Sequence, residues 1–304
     1  FASKKRVEAI FAEEAEIVDG AHMKREIEDL RGEISVKHLT FAYNKESAPA
    51  LKDLSVSIKR GETLAILGRT GSGKTTFANL LVRMYDVGEG QILMDGHPIG
   101  EIPLSVLRES IAYVPQDNFL FSDTLQTNIA FGVRKLSDVP EEVFEEGAAG
   151  TKIFMSHKER LEEYLERDFF QSKNRMDEAY GDLEPVMEAA RQACIHENIM
   201  DFPKKYSTMV GERGVTISGG QKQRSSIARA LMKDAPILIL DDSLSAVDTD
   251  TEDKILEALK KNRAGKTTIL IAHRISTTQN ADHIMVLERG AVAEYGTHAE
   301  LLAK

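Results

Sequence analysis

The residues with the clearest chemical potential are Gly68-Arg69-Thr70-Gly71-Ser72-Gly73-Lys74-Thr75, a G-x-x-x-x-G-K-[ST] run. Glycines let a backbone curl until successive N–H groups point at one spot, which suits a polyphosphate with several charges at close range. A helix starting at Lys74 adds the positive end of its dipole. In that arrangement Lys74 reaches the outer phosphates, the Thr75 hydroxyl ligates Mg²⁺, and Thr76 closes the set. A second run, Pro236-Ile237-Leu238-Ile239-Leu240-Asp241-Asp242, is an apolar stretch ending in two carboxylates. Alone it reads as a strand that ends in a turn. Beside a phosphate loop, Asp241 is placed to hold the metal, directly or through water.

Such residues need elements to position them. Thr63–Leu67, Ile237–Leu240, Ile269–Ala272 and Ile284–Leu287 are continuous apolar runs, the pattern of parallel strands buried on both faces. Helical segments are predicted at Lys74–Arg83, Gln221–Met232 and Asp250–Asn262, and strands alternating with helices indicate an α/β core. Elsewhere the period is two. Ile34, Val36 and His38 alternate with polar neighbours, as do Leu54, Val56 and Ile58, which predicts antiparallel strands. Gln91–Met94 followed by Asp95-Gly96 predicts a further strand and tight turn. Glu288-Arg289-Gly290 is expected to turn a last hairpin.

The 304 residues suffice for one large domain or two modest ones, and 42% hydrophobic with 29% charged residues is an ordinary globular composition. A net charge of −10 argues against a nucleic-acid surface, while a local phosphate site needs only a few residues. The lone cysteine, Cys194, forms no internal disulfide. No run approaches the ~18–20 apolar residues that cross a bilayer. The opening Phe1–Arg6 has neither an initiator Met nor a following apolar region, so a fragment of a longer chain is expected. Residues 1–31, with Val7, Ile10 and Phe11 at helical spacing, are expected to form a surface helix and a connector. Asp138–Glu184 holds fourteen acidic and six basic residues. Ser156-x-x-Glu159, followed by Leu161, Tyr164, Leu165 and Phe169, predicts a short charged helix in that insertion. A plain solvated insertion and a binding role both stand open for it.

Ile217-Ser218-Gly219-Gly220-Gln221, continued by Lys222-Gln223-Arg224, resembles the signature motif of ABC ATPases. Other elements of that family follow in its order. Tyr43 stands where the family stacks an aromatic on adenine, Gln116 in Tyr113-Val114-Pro115-Gln116 resembles the Q-loop glutamine, Asp248 in Ser245-Ala246-Val247-Asp248 the D-loop, and His273 the switch histidine. The resemblance covers about residues 33–303 apart from the insertion. It implies a RecA-like P-loop core with an antiparallel β subdomain and a helical signature subdomain. It implies MgATP bound by Tyr43 and Gly68–Thr76, and a second binding surface, Ser218–Gln221 with Asp248, facing nucleotide held by another subunit. Metal ligands would be Thr75, Gln116 and Asp241; Lys74, Gln116, Asp242 and His273 would act in catalysis. Val210–Gly214 resembles the loop that meets the coupling helices of exporters, and residues 1–31 resemble the tail of a last transmembrane helix. Partners implied are a transmembrane domain and a second, different nucleotide-binding domain, at the cytoplasmic face of a membrane.

The sequence departs from the pattern at Asp242, where the family usually has Glu. The carboxylate is one methylene shorter, which predicts a slow site, because a misplacement of about 1 Å can cost ~10²-fold in rate. The other readings are a nucleotide-gated clamp with little hydrolysis and a soluble ABC-type ATPase of DNA repair. The latter carries long coiled coils between phosphate loop and signature, and residues 76–217 show no sustained heptads.

Overall fold

The computed structural model describes residues 15–133, 144–146, 152–154, 183–211 and 215–303. Its strands are β1 (Ile34–Phe41), β2 (Leu51–Ile58), β3 (Thr63–Leu67), β4 (Ile92–Met94), β5 (His97–Pro98), β6 (Ile111–Val114), β7 (Phe144–Glu146), β8 (Lys152–Phe154), β9 (Ile237–Asp241), β10 (Thr267–Ala272), β11 (His283–Glu288) and β12 (Ala291–Gly296). Its α-helices are α1 (Lys74–Leu81), α2 (Leu104–Glu109), α3 (Leu125–Ala130), α4 (Glu184–Gln192), α5 (His196–Met200), α6 (Gly219–Lys233), α7 (Thr249–Asn262) and α8 (His298–Leu302).

The four apolar runs become neighbours in a six-stranded sheet of order β12-β11-β3-β10-β9-β6. Five of its strands are parallel, with Ile269 opposite Leu64 on one side and Ile239 on the other. Every residue of β9 and β10 is buried, which is why these strands are apolar throughout rather than alternating. The carboxyl ends of β3, β6, β9 and β10 therefore share one edge of the sheet, and the loops that carry the chemistry leave from there. Strand β6 was not foreseen. Its four residues precede Gln116 and set that glutamine beyond the end of β9's neighbour. The last hairpin forms as expected, with Arg289 and Gly290 both at positive φ.

A second sheet, β2-β1-β4-β5, is antiparallel throughout. The alternation expected through His38 breaks at that residue. His38 is in left-handed backbone (φ 47°) and exposed, the register of β1 against β2 shifts there, and Leu39 and Phe41 turn inward instead. Asp53 on β2 has φ 49°, and its Oδ1 lies 2.7 Å from His38 Nδ1 across the bulge. An extra residue in each strand flips the side-chain phase. Asp95-Gly96, both at positive φ, makes the turn between β4 and β5.

By its contacts the chain divides into two units. The larger comprises Gly20–Val133 and Pro185–Lys304 and contains both of these sheets. Its core runs from Ile34, Leu54 and Ile58 through Leu64, Ile66 and Phe77 to Ile239, Ile269 and Met285, all at most 1% exposed. Ile27 and Leu30 from the leading segment are also buried. The smaller unit comprises Phe1–Asp19 and Arg134–Glu184; within it β7 pairs with β8, Phe144 opposite Phe154. The helices expected around Val7–Phe11 and from Ser156 onward lie outside the described residues. Among the described residues, no helix is long and apolar enough to cross a membrane.

Candidate functional site

The loop from Gly68 to Gly73 connects the end of β3 to the start of α1. Gly73 is the N-cap of α1, with φ 102°, and it offers no side chain to the helix's first N–H groups. A Cβ at Gly73 would meet Leu51 Cδ2 at 2.7 Å and the Ala50 carbonyl oxygen at 2.9 Å, so both conformation and packing require glycine. Ser72 Oγ is buried and makes no hydrogen bond. The Lys74 ammonium donates to the carbonyls of Gly68 (2.8 Å) and Arg69 (3.2 Å) and is 6% exposed. Burial holds its pKa below the usual lysine value, partly offset by Asp241 and Asp242. A buried cation thus stands over a helix start whose donors have no capping side chain, an arrangement that can hold a compact anion.

Asp241 ends β9 at 1% exposure. The Tyr113 hydroxyl, from β6, donates toward its Oδ2 at 3.4 Å, and Thr75 also bonds it. Burial raises the Asp241 pKa despite these bonds and Lys74, and burial beside Asp241 also pushes the Tyr113 phenol up. A carboxylate desolvated without full compensation is one that a divalent cation would stabilise. Asp241 and the Thr75 hydroxyl are hard oxygen donors, few enough to leave room for water and phosphate oxygens. The residues therefore fit Mg²⁺, and Gly68–Thr76 fits a triphosphate.

Asp242 follows β9 in left-handed backbone, φ 49°. Its N–H donates to the Ile271 carbonyl at 2.9 Å, and its Oδ2 lies 3.5 Å from Gln116 Nε2. Asp242 and His273 line one cleft with Ser243, Glu252, Arg274 and Thr277. Tyr43 is half-exposed; its hydroxyl lies 2.8 Å from Thr76 Oγ1, and its ring meets Phe41 and Tyr85 edge-on with centroids 5.2 Å away in both cases. The structure therefore brings Tyr43, Gly68–Thr76, Asp241, Asp242, Gln116 and His273 to one edge of the parallel sheet.

Ser218 and Asp248 stand differently. Ser218 is the N-cap of α6: its Oγ accepts from Gln221 N–H at 3.2 Å while Gln221 Oε1 accepts from Ser218 N–H at 2.9 Å. Asp248 caps α7, with Oδ1 accepting from Thr251 N–H at 3.0 Å, and these bonds hold its pKa below the usual carboxylate range. No hydrogen bond among the described residues joins Ser218–Gln221 to Gly68–Thr76. Of the loop resembling the coupling-helix contact, Val210 donates its N–H to the Asp123 carbonyl at 2.9 Å, and residues 212–214 lie outside the described residues. The reading from sequence overlooked Tyr113, Arg274 and Glu252. Tyr113 was visible only as a neighbour of Gln116, and Arg274 only as the residue after His273.

Residues 51–245 match the ABC transporter family. Multidrug export ATP-binding/permease proteins of Staphylococcus aureus strains COL and MW2 are 42% identical over 278 residues, 91% of this chain. The chain spans 40% of the length of those relatives. A solved bacterial Atm1-family ABC exporter with ATP bound superposes with a TM-score of 0.77 at 33% identity, covering 99% of this chain and 45% of that one. With its P-loop fold, its antiparallel sheet and this extent of similarity, the chain belongs to the ABC transporter family.

Proposed function

We propose that this chain is the ATP-binding and ATP-hydrolysing domain of a membrane exporter, acting at the cytoplasmic face of the membrane together with a transmembrane domain and a second nucleotide-binding domain. The observation that carries the reading is the pairing of the uncapped start of α1 with buried Lys74 on one side and buried Asp241 on the other. Residues 32–304 are the nucleotide-binding part and 1–31 the connector. The names of the staphylococcal and Atm1-family relatives support export as the work performed.

ATP binds with its base against Tyr43 and its phosphates on Gly68–Thr76. Thr75 and Asp241, with Gln116 nearby, would hold Mg²⁺, which would neutralise charge at the phosphates. Lys74 and His273 place positive charge and a hydrogen-bond donor where the transferred phosphoryl group gains charge. Asp242 orients the attacking water. Its short side chain, held back by one methylene, makes this chain's own site slow. The intact Ser218–Gln221 completes a faster site on a different partner domain.

The same shortened carboxylate supports a second reading, a nucleotide-gated clamp that binds ATP and rarely cleaves it. Turnover of MgATP by the parent chain, Asp242→Glu, and each combined with Ser218→Ala separates the two. We expect Glu to raise turnover ~10-fold or more, within the range of base positioning, and Ser218→Ala to abolish the gain. No gain while ATP still binds would remove Asp242 as the limiting group.

A further inference from the structure

The turn after β9 and the loop Ser245–Val247 are held from two sides by residues outside the phosphate loop. From α6, Gln223 is 7% exposed. Its Nε2 donates to Ser245 Oγ at 3.1 Å and toward the Asp242 carbonyl oxygen at 3.5 Å, while its Oε1 accepts from the Ala246 N–H at 2.9 Å. One amide therefore spends both donors and an acceptor on three residues, Asp242, Ser245 and Ala246, of a segment that has no strand or helix of its own. The helix stands close: a Cβ at Gly220 would meet the Ala246 carbonyl oxygen at 2.7 Å. From the other side, Arg274 donates to the carbonyls of Ser245 and Val247, both at 3.2 Å, and to Glu252 Oε2 at 2.9 Å. Glu252 is 1% exposed and also accepts from the Thr277 hydroxyl.

A buried amide with these partners cannot shift alone without leaving polar groups unpaired. Movement of the start of α6 must therefore carry the Asp242 turn with it, or break the bonds. We propose that Gln223 is a positioning residue for ATP cleavage, with Arg274 bracing the same loop from the His273 side. It locks the turn carrying Asp242 to the helix that begins at Ser218. This rests on the triphosphate reading of Gly68–Thr76, and it assigns Gln223 no contact with nucleotide.

The test is single-turnover cleavage of bound MgATP by the parent chain, Gln223→Leu, Ser245→Ala and the double variant, with MgATP affinity and thermal midpoint measured on each. Gln223→Leu keeps the volume and removes every bond. We expect its cleavage rate to fall ~10–10²-fold, the cost of a displacement of about 1 Å, with affinity within about twofold and the midpoint within a few degrees. Ser245→Ala added to Gln223→Leu costs less than the two single losses combined, because the variants share the Gln223–Ser245 bond, while Ser245 Oγ has a bond of its own to the Asp242 carbonyl, 2.9 Å. An unchanged rate, additive losses, or a fall in affinity and midpoint alongside the rate would each overturn the proposal. If the parent chain fails to bind MgATP, the triphosphate reading fails and takes this with it. A parent that binds and cleaves, matched by Gln223→Leu, refutes this proposal alone.

Discussion

Two glycine-flanked helix starts, α1 and α6, look alike in sequence and are built oppositely. At α1 the N-cap is Gly73, which gives the first turn no side-chain acceptor, and a buried Lys74 lies beside it. At α6 the N-cap is Ser218, whose capping box with Gln221 satisfies donors at that end internally, and no cation in the first turn is buried. The first start is an anion receptor on its own terms. The second has the N–H groups of Ser218 and Gln221 engaged by the box and those of Gly219 and Gly220 without a partner among the described residues, so it takes an anion only with the charge that another subunit brings. A glycine-rich helix start is therefore not a binding site by composition. What matters is whether its N–H groups have been spoken for.

The comparison breaks first at Lys74. Lys74→Ala removes the buried cation and only two bonds to carbonyls, so the fold should survive. MgATP affinity measured by calorimetry should fall ~10²-fold, about the loss of a charge-assisted bond in a sheltered site. An affinity within a few-fold of the parent would remove Lys74 from the receptor.

Asp241 sharpens the comparison from the metal side. Its raised pKa means the folded chain binds this proton more tightly than the unfolded chain does. Its contribution therefore favours folding at low pH and is lost as pH rises from the ordinary carboxylate value through the raised folded one. At neutral pH the ionised group costs stability. Asp241→Asn should raise the melting midpoint without Mg²⁺ by about 2–4 °C, the shift of ~1 kcal/mol in a domain of this size, and should abolish stabilisation by added Mg²⁺. A lower midpoint, with Mg²⁺ stabilisation intact, would contradict the reading.

The smallest effect belongs to α6. Ser218→Ala should cost about 1 kcal/mol in urea unfolding, the ordinary worth of an N-cap, with no dependence on nucleotide at dilutions where the chain is monomeric. A nucleotide-dependent loss in the isolated chain would mean that α6 binds its own chain's ATP.

How much of this was legible beforehand follows from particular residues. The runs Thr63–Leu67 and Ile269–Ala272 announced parallel strands because burial on both faces leaves no polar position. The bulge at His38 was hidden, since left-handed backbone at a histidine is not written in residue type, and the expected alternation therefore ran one residue too far. Strand β6 was missed because four residues with a tyrosine among them carry too little periodicity. Ser218-x-x-Gln221 is legible as letters both as part of the signature run and as a capping box, and the box forms. The bonds of Gln223 and Arg274 to Ser245–Val247 join segments 22 to 29 residues apart and needed the fold itself.

The most direct test of the central claim is MgATP binding and self-association, measured together by analytical ultracentrifugation on the parent, Lys74→Ala and Ser218→Ala chains. The account predicts that Lys74→Ala loses nucleotide binding, whereas Ser218→Ala binds as the parent does but loses any association that MgATP induces. If Ser218→Ala weakened binding by the isolated chain as much as Lys74→Ala does, the two helix starts would be equivalent and the account would be wrong.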